Sequence, residues 1–180
     1  MASPQLTSLQ VQQLSDAVVQ YIASQHEAYL PFAMPLAEEQ RLAMEGFFVP
    51  EVVDGVRLVV LQNSRVQNPA FYPQLLQMGF QNLPDFRTMA AITFGNVVVS
   101  HLPFTDGLLF HELVHVEQYR QLGIPHFSSL YVRGFLSGGG YEGIPLERNA
   151  YALGARFEGN PQQRFSVSNE VAEWIQNDRF

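Results

Sequence analysis

The segment from Asp106 to Leu122 constrains the fold more than any other part of the chain. A helix through it is apolar nearly all round, with Leu108, Leu109, Phe110, Leu113, Val114 and Val116 spread over its faces. Such a helix belongs in the middle of a domain, covered by other elements on most sides. Thr105 and Asp106 supply its start signal, and Gly123 followed by Pro125 its stop. Inside it lie His111, Glu112 and His115, and burying three such side chains without partners is strongly unfavourable. Two residues four apart project from one helix face, one turn from each other, so both imidazoles can reach a single ion. Glu112 lies about 100° around the axis from His111, beside that ion rather than on it. The pattern is HExxH: two ligands for a divalent metal and a carboxylate placed as general base toward water that the metal activates. The competing reading is a histidine pair four apart, hydrogen-bonded within a core or lying on a solvated face.

A catalytic zinc takes three protein ligands, and with no cysteine in the chain the third must be His, Asp or Glu. Glu147 is the preferred candidate. It stands in Ile144-Pro145-Leu146-Glu147-Arg148-Asn149-Ala150-Tyr151, where Pro145 suits a first helical turn and Ala150 leaves room for a close helix crossing. Its alternative role is an exposed pairing with Arg148. His101, after a hairpin, and His126, beyond the Gly123 turn, are rivals for the same position. Glu117 and Gln118 are candidate partners for the ligand histidines, with a solvated side chain as the alternative for Glu117. Tyr141, in the glycine-rich stretch Ser137 to Gly143, is a candidate donor to a developing oxyanion, against the plainer role of a packed ring in a linker. That stretch lacks the Lys-Ser/Thr ending and the preceding strand of a phosphate loop, so it predicts no nucleotide site. Zinc is favoured over iron because nothing else points to an oxygenase, although two His and one carboxylate also suit an iron triad.

The remainder reads as one α+β domain over residues 1–180, mostly helical with a small antiparallel sheet. Thr7-Ser8-Leu9-Gln10 resembles a capping box and opens a helix ending before Pro31. A second helix over Leu36–Glu45 completes an N-terminal helical region within 1–50. Val56 to Leu61 has strand composition, and Ala91–Phe94 with Val97–Ser100 flank Gly95-Asn96 as a hairpin. A short helix is expected around Pro73 to Gly79, and further helices over His126–Leu136, Pro145–Phe157 and from about Asn169 in the C-terminal region 160–180. The formal charge of −7, with Lys and Arg scattered, opposes nucleic acid as a partner. No basic cluster leads into an apolar run at the N-terminus, and no stretch approaches 18 apolar residues. Neither export nor a membrane span is predicted, and the cytoplasm is the default expectation. Oligomeric state leaves no mark in the sequence.

The run His111-Glu112-Leu113-Val114-His115-Val116-Glu117-Gln118, after the hairpin Ala91 to Val99, resembles the zincins, specifically the gluzincin type. It is similar to compact bacterial HExxH domains associated with extracellular contractile injection systems and polymorphic toxins. The resemblance covers roughly residues 56–155, which would form the catalytic core. It implies a zinc metallopeptidase: His111, His115 and the Glu147 of an ExxA segment on zinc, Glu112 as base, and a peptide or protein as substrate. It also implies an edge strand above the motif helix that holds extended peptide by backbone pairing, for which Val97–Ser100 is the candidate. No Asp stands where some gluzincins orient a motif histidine. Fold likeness leaves open a catalytically inactive module, in which the metal or the bare polar cluster merely steadies the helices.

Overall fold

The computed structural model describes residues 4–180. The Thr7 hydroxyl accepts from the backbone of Gln10 while the Gln10 side chain returns to Thr7, and this reciprocal cap opens α1 (Ser8–Tyr29). Two short helices follow, α2 (Glu38–Met44) and α3 (Pro50–Gly55). α2 is a little shorter than its sequence predicts. α3 was not anticipated: Pro50 starts it, but six residues are too few to build a periodic apolar face.

Strand β1 (Arg57–Val60) leads through a long connection carrying α4 (Tyr72–Gln77) to β2 (Ala91–Phe94) and β3 (Val97–Ser100). The Gly95-Asn96 hairpin forms as expected, with Gly95 at φ 67°. The sheet is mixed, however, in the order β1-β3-β2, with β1 parallel to β3. The connection containing α4 is long enough to bring the chain back for a parallel pairing, which a tight turn could not do. As a consequence Val97–Ser100 is the central strand, fully buried and paired on both sides, and cannot be the peptide-holding edge. The edge nearest the motif helix is β2.

α5 runs over Asp106–Gly134, broken at Gly123, where φ 72° and ψ 159° lie in a region only glycine occupies readily. The stop signal is therefore real: the motif segment ends there and a second helical stretch begins. The chain then passes through a wide helical turn and α6 (Gly140–Gly143) into α7 (Pro145–Gly159), and ends in α8 (Val167–Gln176).

The motif helix is covered as its composition demands, with Leu109, Phe110, Leu113 and Val114 fully enclosed. Phe110 stacks on Phe157 of α7 at 4.4 Å between centroids and meets Phe47 edge-on at 5.4 Å. This aromatic cluster clamps α7 against α5. Ala150 is fully buried at that crossing, in keeping with the close approach its small side chain permits. A second tight contact lies at Gly134, where a Cβ would sit 2.7 Å from the Pro145 ring. The chain fold thus seats the first turn of α7, and Glu147 with it, against the end of α5.

Candidate metal centre

Three atoms converge where α5 and α7 cross. His111 Nε2 and His115 Nε2 lie 3.2 Å apart, and Glu147 Oε2 lies 3.5 Å from the first and 3.3 Å from the second. Among the described residues these three form the group of His, Asp or Glu side chains close enough to share an ion. A tetrahedral ion with bonds of about 2.0–2.1 Å needs its donors about 3.3–3.4 Å apart, and all three separations fall near that value. Glu147 Oε2 is buried and receives no hydrogen bond. An oxygen so placed, facing two imidazole nitrogens, suits a cation better than a proton shared three ways.

The tautomer of His115 is fixed from behind. Gln118 is fully buried one turn on, and its amide nitrogen donates to the Leu146 carbonyl at 3.0 Å and to Asn149 Oδ1 at 2.9 Å. Because the Leu146 carbonyl can only accept, the amide oxygen must face His115 Nδ1, 2.9 Å away, which therefore donates. In the neutral ring this leaves the Nε2 lone pair directed at the convergence point. The same amide thereby ties the motif helix to the start of α7.

Glu112 borders the group without joining it. It is buried, and one carboxylate oxygen accepts from the Thr93 hydroxyl of β2 at 2.7 Å. Thr93 thus aims the carboxylate and leaves its other oxygen for a second proton. Tyr151, one turn beyond Glu147, lies with its ring 4.6 Å from that of His111. Burial raises the phenols of Tyr141 and Tyr151 above their ordinary value, so both stay protonated at neutral pH.

Charge follows from burial. Removal from water disfavours a charge on His115, but the Glu147 carboxylate outweighs that and lifts its pKa from 6.5 to about 9. Burial alone would push Glu147 up, yet the two imidazoles hold it below the usual carboxylate range.

The structure brings His111, His115 and Glu147 together and sets Glu112 beside them, as the residue types suggested. Other candidates lie elsewhere. His101 is buried under the sheet, donating through Nδ1 to the Met89 carbonyl at 2.6 Å and accepting the Val66 N–H at 3.0 Å. Both its nitrogens are used, so it has none for a metal. His126 is exposed and outside the group. Glu117 is buried rather than solvated, but turns away to Arg120 and Gln121. Thr93, Asn149 and Tyr151 were not anticipated, although Tyr151 lies four residues after Glu147 and helical spacing alone places it on the same face.

Two cavities meet at this site. An open groove of about 410 Å³ runs along His111 and Glu112 between Gly107 of α5 and Gly154 of α7. A second, apolar cavity of about 110 Å³ reaches Glu112, His115 and Glu147 from the side of α1. Comparison with protein-family models, curated proteins and solved structures finds no match. The chemistry of the site therefore rests on its own geometry.

Proposed function

We propose that this chain is a zinc-dependent peptidase of the zincin kind, with His111, His115 and Glu147 as the metal ligands and Glu112 as the general base. The observation that carries this reading is the convergence of three donor atoms at tetrahedral spacing, with a buried carboxylate oxygen that no hydrogen bond satisfies. Zinc, when bound, supplies a Lewis acid that polarises a carbonyl and makes water acidic enough to lose a proton near neutral pH.

The remaining work falls to the chain. Glu112 accepts the proton, held in place by Thr93, and can pass it on to the leaving amine. Gln118 keeps His115 in the tautomer a metal requires. Tyr151, beside His111 and facing the groove, offers a protonated hydroxyl to a developing oxyanion, with Tyr141 near it on the same groove. The outer edge of β2 at Ala91, beside the groove, is where an extended substrate backbone can pair. Further along, the Thr93 carbonyl accepts from the Tyr119 hydroxyl, and the central β3 is paired on both sides. Gly154 faces open space in the groove, whereas the absence of a side chain at Gly107 makes room for the Glu158 carboxylate that lines it.

The test is a pair of variants assayed against a mixed peptide library, with zinc content measured on the same samples. Glu112→Gln should keep its zinc and lose about 10²–10⁴-fold in cleavage rate. His115→Ala should lose both. Undiminished cleavage by Glu112→Gln would overturn Glu112 as the base, and no cleavage by the zinc-loaded unaltered chain would leave a zinc-steadied structural module as the better account.

A further inference from the structure

The apolar cavity behind the metal centre is not required by the hydrolytic chemistry. Its walls come from α1, through Val18 and Ile22, from the segment around α4, through Leu75 and Phe86, and from Ile92 and Phe135. Polar groups gather at one end, where Thr93, Glu112, His115 and Glu147 border the space. Among the described residues, Met89, Ala91, Glu112 and Tyr141 line both this cavity and the open groove, so the two spaces adjoin there.

Size and lining restrict what fits. The walls are mostly apolar, though the rings of Tyr21, Tyr72, Tyr119, Tyr131 and Tyr141 also line them, with the Tyr21 and Tyr119 hydroxyls already donating to the Gln67 and Thr93 carbonyls. The volume of about 110 Å³ is somewhat below the ~150 Å³ of an engineered apolar cavity that takes up benzene. One aromatic ring is the natural load. A free hydrocarbon would make no use of the polar end, whereas the ring of a peptide residue flanking the scissile bond carries its carbonyl or amide there.

We infer that this cavity is the specificity pocket of the enzyme and receives a phenylalanine-like side chain adjoining the cleaved bond. The inference rests on the peptidase reading for its substrate, while the pocket itself can be tested without metal or turnover. α1 and the segment around α4 then have a role of their own: they are the selecting wall.

Two measurements test it. In the metal-free chain, toluene is titrated while the methyl resonances of Ile22, Ile92 and Val132 are followed by NMR. Saturable shifts confined to these methyls are expected, and at least tenfold weaker binding in Val18→Phe and in Leu75→Phe, two independent ways of filling the space. In the zinc-loaded chain, peptides with Phe beside the scissile bond should be cleaved with kcat/KM at least about 100-fold above the Ala equivalents. Val18→Phe should cut that preference at least tenfold, with cleavage of the Ala peptide preserved. No toluene binding by the unaltered chain, or equal cleavage of Phe and Ala peptides, overturns the pocket. Toluene binding with no peptide cleaved at all sinks the peptidase reading and leaves the pocket standing as a site for an aromatic group.

Discussion

Gln118→Met offers the sharpest probe of how the fold prepares the metal centre. Methionine keeps the length and rough volume of the side chain, so the crossing of α5 and α7 should survive, but it removes the acceptor of the His115 Nδ1 proton. It also strips a donor from the Leu146 carbonyl and from Asn149 Oδ1, both buried at the start of α7. Loss of a partner behind a metal-binding histidine lowers affinity about 10–100-fold, or about 1.4–2.7 kcal/mol, because the ring is no longer held in the required tautomer and orientation. Folding stability should fall by about 1–3 kcal/mol for the groups left unpaired. Zinc affinity is measured by competition with a chelator of known strength, and stability by denaturant unfolding of the metal-free chain. Glu117→Gln serves as control: its neighbour side chain on the same helix is equally buried but pairs with Arg120 and Gln121, away from the centre. The control should lose stability and keep its zinc affinity. A change below about threefold in Gln118→Met, or an equal loss in the control, would refute the argument that Gln118 orients the ligand.

Three further outcomes follow. Thr93→Val should retain zinc but lower kcat about tenfold or more, since the carboxylate of Glu112 would no longer be aimed; an unchanged kcat would dismiss the hydroxyl. Gly123→Ala should lower folding stability by about 1–3 kcal/mol, read from thermal or denaturant unfolding, because its φ of 72° with ψ of 159° strains any residue bearing a Cβ. In the metal-free chain the raised pKa of His115 contributes stability that is full below about pH 6.5 and is lost as pH rises through about 9. The lowered pKa of Glu147 contributes stability that is full above about pH 4.5 and fades only as pH falls below that. Thermal unfolding with a chelator present should therefore show a decline from pH 6.5 to 9. With zinc the midpoint should rise over the same interval, because its ligands must shed their protons; parallel curves would contradict this.

Much of the scaffold could be read from residues whose preferences are local. Thr7 and Gln10 cap α1 through contacts three residues apart, and Gly95 turns the hairpin through its tolerance of positive φ, with the Asn96 side chain held by His26 and the Gly55 carbonyl. Gly123 breaks α5 where the apolar pattern stops. Glu147 was legible because Pro145 fixes the start of its helix and Ala150 marks the crossing. What the sequence left open was set by tertiary context. The direction of β1 depends on how the connection through α4 returns, which no short window encodes. The central position of β3 had a signal, for three consecutive valines without alternation suit a strand covered on both faces, and the edge role expected of it ran against that pattern. Thr93 meets Glu112 across 19 positions, and Gln118 meets Leu146 across 28, so these supports appear only once the helices and sheet are packed.

Diffraction at the zinc absorption edge, from crystals of the chain grown with one equivalent of zinc, addresses the central claim most directly. A single anomalous peak about 2.0–2.2 Å from His111 Nε2, His115 Nε2 and a Glu147 carboxylate oxygen, with a fourth position free of protein ligands, is the predicted result. A peak elsewhere on the chain, or none at this crossing, would contradict the account.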